Sequence, residues 1–150
     1  MDNKTSIFID ADGCPVKEEV YRVAKRHQLQ VLVVANAWMK VPAIAELILV
    51  GDGFDAADDW IVEHIEANDI VVTADIPLAA RCLAKKARGL KPKGKRYTQE
   101  SIGGVVAQRN LLADLRESGV ITGGPAPFSN KDRSRFLQNL ENLIREAKKP

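Results

Sequence analysis

Cysteine is scarce in this chain: Cys14 and Cys82 are the only two in 150 residues. Two thiols cannot build a disulfide scaffold, and neither a CxxC pair nor a Cys/His metal spacing occurs, so a reducing cytoplasm is the expected compartment. Long hydrophobic runs are missing as well. No stretch approaches the roughly 20 apolar residues that span a bilayer, and no basic segment followed by an apolar one opens the chain. Membrane insertion and secretion are both disfavoured. Histidine is almost absent: His27 and His64 fall on helical stretches with no partner at ligand spacing, which favours surface or packing roles. Gly and Pro are near average, which leaves no basis for wholesale disorder.

What remains is globular composition, 45% hydrophobic and 28% charged. A chain this long buries about 70% of the surface its unfolded form exposes, so residues 1–150 are expected to form one domain. The net charge of +2 hides an asymmetry, because acids crowd residues 52–75 and bases crowd 81–96. An acidic pocket beside a polyanion would have that polarity.

Short apolar runs rich in β-branched residues predict strands at 6–10 and 31–35, with a helix between them. Pro15 suits that helix's first turn, Glu18 and Glu19 its positive end, and Val16, Val20, Val23 and Ala24 its apolar face. Further strands are predicted at 46–50 and 69–73, separated by a helix over 56–67 with Asp55 as N-cap. A helix over 77–87 follows, then an exposed basic loop over 89–95, a fifth short strand at Tyr97 and a helix over 99–117. A Gly/Pro loop over 119–129 leads to a last amphipathic helix carrying Phe136, Leu137, Leu140 and Ile144, which Ser129 or Asn130 would cap. The alternation predicts an α/β fold of three layers, a mostly parallel central sheet with helices on both faces.

Chemistry concentrates at the strand ends. Asp10 and Asp12 follow the first strand, one residue apart and therefore on the same side of an extended chain. Asp52 with Asp55, then Asp58 with Asp59, follow the third; Asp75 follows the fourth in Val71-Val72-Thr73-Ala74-Asp75. Carboxylates converging at one sheet edge would suit a hard cation, Mg²⁺ or Mn²⁺, able to activate water for phosphodiester hydrolysis. For Asp52 and Asp55 turn formation or capping is the stronger reading, whereas Asp58 and Asp59 are open between first-turn charge stabilisation and function. Asp12 is open between ligand and helix cap. Cys14, beside the acidic pair, has no neighbouring His to make it a nucleophile.

The second feature is a basic segment containing Arg81, Lys85, Lys86, Arg88, Lys91, Lys93, Lys95 and Arg96 without an intervening acid. Phosphate backbones reward such clusters through counterion release, although a solvated helix face reads the same way for any one lysine. Few aromatics interleave it, so base stacking is not indicated. Arg109, Lys131 and Arg133 would add to phosphate binding if the Gly/Pro loop folds over the pocket.

Four segments carry a resemblance: Asp10-Ala-Asp-Gly-Cys-Pro-Val16, Asp55-Ala-Ala-Asp-Asp59, Val71-Val-Thr-Ala-Asp-Ile-Pro-Leu78 and Gly124-Pro-Ala-Pro-Phe-Ser-Asn-Lys-Asp-Arg133. In this order they resemble the bacterial family that includes YaiI and YqxD, over nearly the whole chain. That family in turn resembles PIN-like domains, α/β folds whose acidic residues bind Mg²⁺ or Mn²⁺ to cut RNA. The resemblance implies that Asp10 and Asp75 match the first and later PIN aspartates, with Asp58 or Asp59 in place of a central acid that is commonly Glu. The expectation is thus a metal-dependent ribonuclease in which Asp10, Asp12, Asp58, Asp59 and Asp75 are the catalytic, metal-holding residues. Asp10-Ala-Asp-Gly and Gly51-Asp-Gly-Phe-Asp55 also look like haloacid-dehalogenase-type phosphatase motifs, with Asp10 as nucleophile and Asp12 as general acid. Against this, no Thr or Ser ends the second strand, where Asn36 stands. A non-catalytic RNA-binding module is the third alternative. No protein partner is indicated.

Overall fold

A computed structural model describes residues 5–12, 14–53, 55–102 and 127–148. The elements run β1 (Ser6–Asp10), α1 (Lys17–His27), β2 (Gln30–Ala35), β3 (Ala45–Leu49), α2 (Ala56–His64), β4 (Ile70–Val72), α3 (Ile76–Ala84), β5 (Arg88–Leu90), β6 (Arg96–Tyr97) and α4 (Asn130–Lys148). They form an α/β fold around a six-stranded sheet of order β3-β2-β1-β4-β5-β6, parallel except where β6 pairs antiparallel to β5.

The central strands read as continuous apolar runs because both of their faces are covered. Ile7 and Ile9 of β1, Val31 and Val33 of β2, and Ile70 and Val72 of β4 face one side. There they meet Val20, Val23 and Ala24 of α1 and Phe136, Leu140 and Ile144 of α4. Phe8, Val34 and Val71 alternate to the other side and pack on Ile61 of α2 and on Leu78 and Cys82 of α3. The three layers follow from period-two alternation meeting helical faces of period 3.6.

Polar contacts fix the helices. Glu141 of α4 accepts from Arg145 at 3.1 Å and from His27 at 2.8 Å and pairs with Arg26; His27 first, then Arg26, hold its carboxyl down at a pKa of about 2. Ser129 caps α4 reciprocally: its Oγ accepts from Asp132 N–H at 3.2 Å and its own N–H donates to Asp132 Oδ2 at 3.0 Å. His64 stacks on Trp60, ring centroids 3.8 Å apart. His27 therefore ties α1 to α4 through Glu141, and His64 serves packing.

Several expected boundaries move. Helix α1 begins at Lys17, so Pro15 precedes it; Val16 takes the N-cap position, and Asp12 caps nothing. Asp55 occupies the N-cap position of α2 in the left-handed region (φ 64°), and its side chain makes no cap bond. Helices α2 and α3 end three residues earlier than expected. The exposed loop over 89–95 is replaced by a buried strand and a packed turn: Gly89 and Leu90 are buried in β5, and Pro92 and Gly94 are buried beyond it. Tyr97 lies against Gly89, where a Cβ would come to 3.0 Å from the ring, so any larger residue would push Tyr97 back from β5. Tyr97 accordingly belongs to a sixth strand. Residues 99–102 are helical, and the rest of the helix expected over 99–117, with Arg109 and most of the following loop, lies outside the described residues.

Candidate active site at the carboxyl edge of the sheet

The strand order reverses direction between β1 and β4, and in parallel α/β sheets a crevice opens beyond the carboxyl ends of the strands at such a point. Asp10 is the last residue of β1, half-buried. Thr73 follows β4, is 1% exposed and donates its hydroxyl to Asp10 Oδ2 at 2.9 Å. Thr73 Oγ1 itself accepts from Asp75 N–H at 3.0 Å, and Asp75 Oδ1 in turn caps α3 by accepting from Leu78 N–H at 3.0 Å. Tyr97 Oη donates to the Thr73 carbonyl at 3.0 Å, so β6 braces this turn from outside. Asp75 therefore serves structure and lines the site at once.

Above these strand ends lies a cavity of about 390 Å³. Asp10, Asp12, Asp55, Asp58 and Asp75 line it, and the described lining includes no Lys, Arg or His. Its other wall comes from the end of β2 and the segment after it, Val34 to Met39, with Gly51 and Gly53 at the rim. The electrostatic consequence is direct. Burial raises the Asp10 carboxyl above its ordinary range, the Thr73 hydrogen bond pulls it back, and the charges of Asp75 and Asp12 push it up again. Asp58, in the first turn of α2, is raised to about 6 by burial and then by Asp75, Asp10 and Asp55. Carboxylates whose charges raise Asp10 and Asp58, in a cavity with no basic side chain in its described lining, form a strongly negative site.

The residues singled out from sequence separate clearly. Asp10, Asp12, Asp58 and Asp75 come together, joined by Asp55. Asp59, one helical step from Asp58, does not line the cavity and pairs with Arg81 at 3.1 Å. Asp52 is also absent from the lining. Cys14 is buried outside it, and burial pushes its thiol pKa up, which leaves it protonated.

The basic segment is not one surface. Lys85 and Lys86 sit at the end of α3, and the Lys86 carbonyl accepts from Asn68 N–H just before β4, at the amino edge of the sheet. Lys85 Nζ donates to the Val62 carbonyl at 2.5 Å. Acids remote in sequence neutralise others: Glu146 of α4 pairs with Arg88 at 3.3 Å and with Arg96. The turn carrying Lys91, Lys93 and Lys95, which follows β5, shares the carboxyl edge with the cavity, as does Arg96 opposite Leu90, whose charge is met by Glu146. Lys91 Nζ stands 5.5 Å over the Tyr97 ring, Lys93 is half-buried and Lys95 is exposed. Lys131 is exposed at the start of α4, and Arg133 pairs with Glu19 of α1 at 2.7 Å. Neither lines the cavity.

Two contributors were not singled out from the sequence. Thr73 reads as the tail of an apolar strand, and Trp38, 74% exposed, reads as one aromatic in an unremarkable loop. The Thr-x-Asp spacing after β4 is the pattern that marks Thr73, because it allows the hydroxyl to accept from a backbone N–H two residues on.

As for metal binding, no group of three or more His, Cys, Asp or Glu side chains among the described residues is arranged to hold an ion. The donor chemistry still fits a hard cation. Mg²⁺ is commonly held by one or two carboxylates and keeps several waters, so Asp10 and Asp58 suffice in kind. Among the described residues, no helix is long and apolar enough to cross a membrane.

Comparison with known proteins places the site in a family. Residues 8–146 match the family model described as "Uncharacterized BCR, YaiI/YqxD family". A UPF0178 protein of Rhodopseudomonas palustris (strain ATCC BAA-98 / CGA009) is 55% identical over 146 residues, covering 96% of this chain and 92% of the relative. A UPF0178 protein of Rhodospirillum rubrum is 53% identical, covering 95% and 97%, and one of Paramagnetospirillum magneticum is 52% identical, covering 97% of each. No solved structure matches the chain. With the match running from β1 to α4, this chain belongs to the YaiI/YqxD family.

Proposed function

We propose that the chain is a divalent-metal-dependent phosphodiesterase acting on RNA. The observation that carries this reading is the set of mutually repelling carboxylates, Asp10 and Asp58 foremost, in a cavity at the sheet's switch point with no basic side chain in its described lining. Such a site gains by taking up a cation. Asp10 and Asp58 would hold Mg²⁺ or Mn²⁺, with Asp12 and Asp75 accepting hydrogen bonds from its waters. When bound, the cation supplies positive charge opposite the phosphoryl and leaving oxygens and acidifies water. Thr73 keeps the Asp10 carboxylate aimed into the cavity, as second partners of metal-holding groups do. Lys91, Lys93 and Lys95 stand on the same edge, where they would meet flanking phosphates. RNA rather than DNA follows from the resemblance of the motifs to PIN-like domains.

A phosphatase with Asp10 as nucleophile ranks below this. A phosphoaspartate there would carry its charge in a cavity whose described lining offers no Lys or Arg to offset it. The test is cleavage of single-stranded RNA with Mn²⁺ or Mg²⁺ by the wild type and by Asp10→Asn. Metal-dependent cleavage that is lost in the folded variant supports the proposal. Salt-sensitive RNA binding without cleavage under any metal would overturn it in favour of a binding module.

A further inference from the structure

The segment joining β2 to β3, residues 36–44, links two parallel strands without a helix. It crosses from the carboxyl edge back to the amino edge as a strap. Met39, Val41 and Ile44 are partly buried against the core cluster that includes Val31 and Val33, and Ala35 before them is buried. Both sides of Trp38 are therefore anchored. Trp38 itself is 74% exposed, and it lines the same cavity as the carboxylates. Asn36 lines that cavity too and is exposed, as is Lys40 beyond it.

An indole held out from an anchored strap at the cavity wall is left mostly open to whatever enters the cavity. The carboxylates alone would repel a phosphodiester, so an entering strand needs attraction from its non-phosphate parts as well as from a cation. We propose that Trp38 is the stacking platform for an unpaired nucleobase next to the reacting phosphate, with the Asn36 amide within reach of that base's edge. The ligand class is single-stranded RNA, because a base within a duplex has both faces occupied by its neighbours. This inference rests on the proposed function and refines it by assigning a substrate-positioning residue and a strand preference.

The chain holds two tryptophans, and Trp60 is packed on His64, so Trp60→Phe leaves Trp38 as the sole indole reporter. In that background, oligouridylate with Mg²⁺ is expected to quench emission, while a blunt RNA duplex of equal length is not. In the wild-type background, Trp38→Ala should weaken oligouridylate binding by about 5- to 150-fold, the range for losing one stacked base, while Trp38→Phe restores part of it. Unchanged affinity in Trp38→Ala, or equal quenching by duplex, overturns the inference. So does quenching by spermidine with none by RNA, which would make the cavity a site for organic cations. The two readings fail separately. Quenching without cleavage leaves the platform standing and removes the hydrolase; cleavage with unaltered kcat/KM in Trp38→Ala does the reverse.

Discussion

Thr73 Oγ1 lies 2.9 Å from Asp10 Oδ2, tying the end of β1 to the turn after β4 through one buried hydroxyl. That hydroxyl has a single proton, given to the carboxylate, and it accepts in turn from Asp75 N–H. The pair orients Asp10 and fixes the start of α3 together. Thr73→Val keeps the shape but leaves the Asp10 oxygen and the Asp75 N–H without this partner. Stability should fall by about 1 to 3 kcal/mol in urea unfolding. The Asp10 carboxyl, which the hydrogen bond holds down, should titrate higher by carbon NMR. An unaltered Asp10 titration would show that the hydroxyl does not orient it.

Asp58 places a penalty on the fold that ought to be measurable. Its pKa is raised from 3.8 to about 6, so between those values the folded chain binds more protons than the unfolded one. Stability from this group is therefore lost as pH rises through that window. Asp58→Asn should raise Tm above pH 6 and leave it nearly unchanged below pH 4. Mg²⁺ should raise the wild-type Tm at pH 7.5 more than that of the variant, since a cation relieves the same repulsion. A Tm difference that is independent of pH would refute this.

Gly94 tests how the basic turn is held. Its φ is 98°, and a Cβ there would stand 2.6 Å from Phe136 N and 2.7 Å from the Arg135 carbonyl carbon. Gly94→Ala should cost about 2 to 4 kcal/mol, because backbone strain adds to displacement of α4 from the core. Thermal unfolding within 2 °C of the wild type, a shift of well under about 1 kcal/mol, would mean that the turn and α4 are not locked together.

Much of the framework was legible because the central parallel strands are apolar on both faces. Ile7–Ile9, Val31–Ala35 and Ile70–Val72 could be read as runs, and their terminal acids followed. β5 was not, since Arg88-Gly89-Leu90 is three residues long and its burial comes from β4 and Tyr97, neither adjacent in sequence. The same distance hid Glu146 as the partner of Arg88 and Arg96, which made the basic segment look uncompensated. Asp58 and Asp59 are neighbours in sequence but about 100° apart on a helix, so only packing could separate the cavity residue from the one paired with Arg81. Exposure hid Trp38, because nothing in a one-dimensional pattern tells a projecting indole from a buried one.

The central claim is that the carboxyl edge of the sheet takes up a divalent cation. Calorimetric titration of Mn²⁺ and Mg²⁺ into the wild type and Asp10→Asn, at equal folded fraction, tests it most directly. The account predicts saturable binding to the wild type, tighter at pH 7.5 than at pH 5.5 as Asp58 loses its proton, and binding lost or greatly weakened in the variant. Equal binding to both proteins, or none to the wild type at any pH, would contradict it.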